Sequence, residues 1–166
     1  MSKQIRLYLG LITAVLIYYL IHEGVHLIYA LSIGVFRQIN FMGVGVQVDV
    51  YAQQMSNLQM GVFCLIGAVA TTLAAYVLTL AAPQICKSAS KVFKACMYYI
   101  TLIMLLDPLY LSVLCGFSGG GDMNGIALLL PEAAARILFG LLLLIHGLVF
   151  WKIVLPKYKM AFSEIQ

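Results

Sequence analysis

Residues 7–31 form an apolar run broken, apart from tyrosines, by only three ionisable side chains: His22, Glu23 and His26. As a helix the run would be roughly 37 Å long, more than the roughly 30 Å hydrocarbon core of a bilayer. A surface helix of a soluble domain needs a polar face, and this run has none. Composition extends the constraint to the whole chain. Its 166 residues are 63% hydrophobic and 10% charged, with a mean hydropathy of +1.01. Soluble domains carry about 25% charged residues. The expected fold class is an all-α polytopic membrane protein in one domain, residues 1–166. About four transmembrane helices are expected, near 6–33, 60–82, 92–115 and 133–155, with a short membrane-associated β-hairpin after the first.

The basic start followed by an apolar run also has the outline of a signal peptide. The continuous apolar part, residues 7–21, is at the long end for one, and Tyr29-Ala30-Leu31-Ser32 is a weak cleavage site. The run is therefore read as a membrane helix. Residues 34–59 differ in period. Ile39 and Phe41, then Val44, Val46, Val48 and Val50, alternate with small or polar residues, and Met42-Gly43 permits a turn. Period two signals strands. A hairpin at membrane depth requires cover by protein or access to water, and its edge could hold an extended peptide. A plain surface hairpin fits the pattern equally, with Asp49 solvated. In the second span Gly61, Gly67, Thr71 and Ala75 include small residues four apart, which allow close helix approach. Pro83 is expected to end that span. Pro108 can kink the third. Glu132 and Arg136 have helical ion-pair spacing. His146 reads as a packed structural residue.

Other classes are excluded by what the chain lacks. Cys64, Cys86, Cys96 and Cys115 show no C-x-x-C spacing, so free thiols are expected instead of a disulfide framework. No phosphate-binding glycine loop or interleaved basic-aromatic surface points to nucleotide or nucleic acid. The net charge of +4 matters for its distribution. With four spans, Lys3, Arg6, Lys87, Lys91, Lys94, Lys152, Lys157 and Lys159 fall on or beside one face, and only Arg37 and Arg136 fall on the other. The positive-inside rule then puts both termini in the cytoplasm. The second half of the first helix, the hairpin and the loop around Asp122 lie together towards the outer face.

His22-Glu23-Gly24-Val25-His26 is H-E-x-x-H. On a helix, residues i and i+4 share a face, so two imidazoles can grip one metal ion. Zinc commonly takes one further protein ligand and keeps a position open for water, whose proton a neighbouring carboxylate such as Glu23 can accept. Charged and polar residues inside a span are costly and tend to be functional. A polar packing patch or a proton path would use the same residues.

H-E-x-x-H in a membrane helix, followed by a valine-rich hairpin and a late Asp-Gly element, resembles the site-2 protease family of intramembrane zinc metalloproteases. The resemblance implies that His22 and His26 are ligands of one zinc ion per chain and that Glu23 is the general base. It also implies a third ligand, an Asp from a later helix. In the family that Asp stands in a Leu-Asp-Gly motif. Leu106-Asp107-Pro108 has the Leu-Asp without the Gly, and Gly121-Asp122-Met123-Asn124-Gly125 has the Asp near Gly without the Leu. They lie 81 and 96 residues after His26. Asp122 is favoured because its glycine-rich approach and its sidedness put it near the histidines. Asp107 is the alternative ligand, or a residue that orients a liganding His. The family's glycine-proline-asparagine element is replaced by Gly67-Ala68-Val69. Its site is commonly nearer the cytosol than the orientation expected here.

The implied activity is hydrolysis of peptide bonds in membrane-embedded protein or peptide substrates. Two other classes use the same residues. One is a non-proteolytic metal-binding membrane protein. The other is a small ion or proton transporter with His22, Glu23, His26 and Asp107 as its path; the lack of a clear internal repeat weighs against it.

Overall fold

The computed structural model describes residues 2–43, 45–117 and 119–163. Among these described residues, four helical stretches are long and apolar enough to cross a membrane. The first three are α1 (Lys3–Ser32), α2 (Asn57–Cys86) and α3 (Lys91–Ser112). A short helix, α4 (Asp122–Ile126), precedes the fourth stretch. That stretch joins α5 (Glu132–Val149) through a π-helical turn at Phe150–Val154 to α6 (Leu155–Ser163). Between α1 and α2 lies an antiparallel hairpin of β1 (Phe36–Met42) and β2 (Gly45–Val50).

Serines set three of the helix starts. Ser2, Ser56 and Ser90 each accept a bond from the N–H three residues on, at 3.3, 3.2 and 3.2 Å. At Ser56 the Gln59 side chain returns the bond, accepting the Ser56 N–H at 2.9 Å. This reciprocal cap begins α2 earlier than the apolar pattern predicts. Its end differs too: α2 runs through Pro83 to Cys86. Pro83 sits in the last turn, where it costs one intrahelical bond, to the Thr79 carbonyl, and the helix tolerates it. The third helix ends at Ser112, sooner than residue 115, and is followed by a 3-10 turn at Leu114–Phe117. The fourth stretch continues past residue 155 to Ser163.

The helices meet through small residues. Along α2 the buried positions include Gly61, Cys64, Gly67, Ala68, Thr71, Ala75, Thr79 and Ala82, three or four apart. They bring α2 close to α1 and α3, and α5 packs on the far side of α3. Large side chains face outward instead: Leu20 is 69% exposed and Leu80 79%. Small inside and large apolar outside is the arrangement of helices packing in lipid. At one end Lys3, Arg6 and Lys91 line a recess with Phe162. Beside it Lys94, 1% exposed, donates to the Ala161 carbonyl at 2.7 Å and so satisfies the last turn of α6.

The opposite end carries the hairpin. Met42 pairs with Gly45 and Ile39 with Val48, with an irregularity between Phe36 and Gln38. Gly43 turns at φ 64°; Val44, part of the expected alternation, lies outside the described residues. Asp49, expected to be solvated, pairs with Arg37 at 3.3 Å. The hairpin doubles back along α1. Its residues Gly45 to Val48 share a cavity with Tyr18 and Tyr19, roughly 20 Å down the helix from Ser32.

Candidate metal centre

Helical period brings His22 and His26 one turn apart on the buried face of α1. Their ring centroids are 5.0 Å apart, and the residues are 5% and 2% exposed. Gly67 of α2 lies opposite. A Cβ there would stand 2.5 Å from His26 Nε2 and 2.7 Å from His22 Nε2. Glycine alone leaves open the space that both nitrogens face. Phe63, one turn earlier on α2, packs against the His26 ring at 4.7 Å between centroids.

Asp122 enters this space from another direction. It is the first residue of α4, after Gly119, Gly120 and Gly121, whose φ values are 77°, 94° and 51°. Three successive positive φ angles are costly for any residue with a Cβ. Asn124 steadies the turn by donating to the Gly119 carbonyl at 3.0 Å. Asp122 Oδ2 lies 3.1 Å from His22 Nε2 and 3.6 Å from His26 Nε2. Burial alone would raise the Asp122 carboxyl. Its hydrogen bond with His22 and its charge interactions with both imidazoles outweigh that and hold it at about 2, so it is a carboxylate at neutral pH.

Glu23 stands beside the pair. Its Oε2 accepts the Val48 N–H at 2.9 Å, which ties it to β2. Ligating atoms of His22, Glu23 and His26 all lie within 4.8 Å of one another. Two triplets thus share the histidines, one completed by Glu23 and one by Asp122. Asp122 faces both Nε2 atoms directly, whereas Glu23 is anchored to the strand. Asp107 lies on the other side of the His22 ring, its Oδ1 3.8 Å from Nδ1.

The donors fit a zinc ion. His26 Nδ1 and Nε2 are buried without hydrogen-bond partners, and a bound metal would satisfy one of them. Tetrahedral zinc with bonds of 2.0–2.1 Å holds its ligands about 3.3 Å apart; the two Asp122 contacts, 3.1 and 3.6 Å, bracket that spacing. Two imidazoles and one carboxylate also leave a fourth position open. That position would face a cavity of about 600 Å³, bordered by Glu23, Gly45 to Val48, Tyr110 and Asn124.

His146 is buried, donates through Nδ1 to the Leu105 carbonyl at 2.9 Å and packs edge-on against Tyr76. None of Cys64, Cys86, Cys96 and Cys115 is in a disulfide. Other contributors carry no motif. Gly67 reads as helix packing, Tyr18 and Thr71 as ordinary span residues, and the Val48 contribution is a backbone N–H. Only the four-residue spacing of small groups hinted at Gly67.

Comparison of the chain with protein-family models, with curated proteins and with solved structures finds no match.

Proposed function

We propose that the chain is an integral-membrane zinc metallopeptidase that hydrolyses peptide bonds of membrane-embedded substrates. The observation that carries this reading is the convergence of His22 Nε2, His26 Nε2 and Asp122 Oδ2 at the wall of a cavity that Glu23 also lines. His22, His26 and Asp122 would hold the ion. When bound, zinc supplies Lewis-acid chemistry, activating a water and polarising the substrate carbonyl. Glu23 accepts the proton of the attacking water and later delivers it to the leaving amine. The Val48 N–H keeps the Glu23 carboxylate aimed while it waits. The edge of β2 borders the same cavity and suits a substrate in extended form, hydrogen-bonded as an added strand. The resemblance to the site-2 protease family supports the same assignment, as a small and divergent member.

A membrane setting is supported by the four apolar helices and the outward-facing leucines. The basic recess at one end and the positive-inside rule favour cytoplasmic termini, with the candidate site towards the opposite face. Water would reach it from the loop side, past the Gly119–Gly121 turn.

The test is zinc per chain in detergent-purified protein. We expect about one zinc in the wild type, close to none in His22→Ala and Asp122→Ala, and zinc retained at saturation in Asp107→Ala. The same preparations, given a transmembrane peptide, should cleave it only where zinc is bound. A folded, metal-replete wild type without zinc would overturn the reading.

A further inference from the structure

Asp107 is a buried carboxylate, 4% exposed, that stands apart from the ligand triplet yet ties its own helix, α3, to α1 and α2. From α1, the Tyr18 hydroxyl donates to Oδ1 at 2.5 Å. From α2, the Thr71 hydroxyl donates to Oδ2 at 2.7 Å. Thr71 Oγ1 also lies 3.1 Å from the Gly67 and Ala68 carbonyls, but it has one proton, and the shortest contact is to Asp107. Each carboxylate oxygen is therefore fixed by a donor. Oδ1 remains turned towards His22 Nδ1 at 3.8 Å, and Nδ1 is buried with no hydrogen-bond partner. Tyr18 completes the arrangement by stacking on the His22 ring, centroids 5.3 Å apart at 29°.

We infer that Asp107, held by Tyr18 and Thr71, is the positioning residue that stabilises the proton on His22 Nδ1 once Nε2 takes the metal, and so fixes the ring for coordination. The two faces of the ring support this. Nε2 points to Asp122 and the space beside Gly67, and Nδ1 points to Asp107. A neutral imidazole carries one proton. Without metal, Nε2 keeps it and donates to the Asp122 carboxylate at 3.1 Å; a metal on Nε2 leaves the proton to Nδ1, where Asp107 faces it. At 3.8 Å the contact is electrostatic, and burial keeps it from being screened. Carboxylate partners of this kind orient liganding histidines and raise their basicity, and their loss typically weakens metal affinity by roughly 10–100-fold. The inference rests on the metal-site reading.

The experiment compares wild type, Asp107→Asn and Tyr18→Phe in bilayers by ¹⁵N NMR of labelled histidine. The chain has three histidines, which keeps the spectrum tractable. We expect metal-free wild type to show His22 with its proton on Nε2, and zinc-loaded wild type to show an Nδ1–H signal shifted by its carboxylate partner. Asp107→Asn should lose that shift, and Tyr18→Phe should reduce it. Zinc titration should then give a Kd raised about 10–100-fold in Asp107→Asn with stoichiometry still near one. An unchanged Nδ1–H signal and Kd in a folded Asp107→Asn would overturn the inference. So would zero zinc at saturation in that variant, because Asp107 would then be a ligand itself. If Asp107→Asn does not fold, Tyr18→Phe, which removes one hydroxyl, decides by the same two readouts. If the wild type binds no zinc, the metal reading fails and the inference falls with it; if the wild type binds zinc and Asp107→Asn matches it in both readouts, the inference alone fails.

Discussion

Glu23→Gln should abolish peptide cleavage while leaving the fold and one zinc per chain intact. Glutamine is nearly the same size as glutamate and keeps a side-chain oxygen, so it can still accept the Val48 N–H that now bonds Oε2 at 2.9 Å. The hairpin therefore stays docked on α1. What the variant loses is a group able to take a proton from water. General-base catalysis contributes about 10²–10⁴-fold, and kcat should fall by that factor with little change in KM. Glu23→Ala makes the informative contrast. It removes the base and the acceptor together, so it should also loosen β2 and raise KM. The measurement is cleavage of a transmembrane peptide in liposomes, with zinc quantified on the same samples. Undiminished turnover in Glu23→Gln would remove Glu23 from the mechanism. Loss of zinc in that variant would instead make Glu23 a ligand, completing the triplet with His22 and His26 in place of Asp122.

That choice between triplets shows where sequence stops being informative. His22 and His26 follow from helical period alone, because i and i+4 must share a face. The four long helices follow from apolar runs, and the hairpin from alternation in Ile39, Phe41, Val46, Val48 and Val50. Element ends were less legible. Pro83 breaks a helix interior but is tolerated in a last turn, and local pattern cannot say where that turn falls. Asp122 and Asp107 were harder still. Both stand far along the chain from His26, and only the packing of α3 against α1 and of α4 against α2 separates them, putting one at Nε2 and the other at Nδ1 of the same ring. The Val48 N–H has no signature at all, since every residue but proline has one. Tyr18 and Thr71 are unexceptional in a span until their hydroxyls meet Asp107.

Gly67→Ala should empty the metal centre without unfolding the protein, because the methyl group would occupy the space the two histidine nitrogens face. The added Cβ would lie 2.5 Å from His26 Nε2 and 2.7 Å from His22 Nε2. Both rings are buried and hemmed in, His22 by Tyr18 and His26 by Phe63, so neither can retreat freely. Their lone pairs would have to turn away from Asp122 to relieve the overlap, and a tetrahedral ion tolerates errors of only about 0.2 Å in its bonds. Helix propensity works the other way: alanine is better than glycine in a helix interior by about 1 kcal/mol, so α2 itself gains. The expected result is a folded protein with unchanged helical content, zinc stoichiometry near zero under conditions that load the wild type, and no cleavage. Gly61→Ala is the control. Gly61 is also buried on α2, but its neighbour is the flexible Leu129 side chain and not the histidines; it should keep its zinc. Equal zinc in Gly67→Ala and wild type would mean that the ion sits elsewhere, and the role assigned to the Nε2 atoms would fall with it.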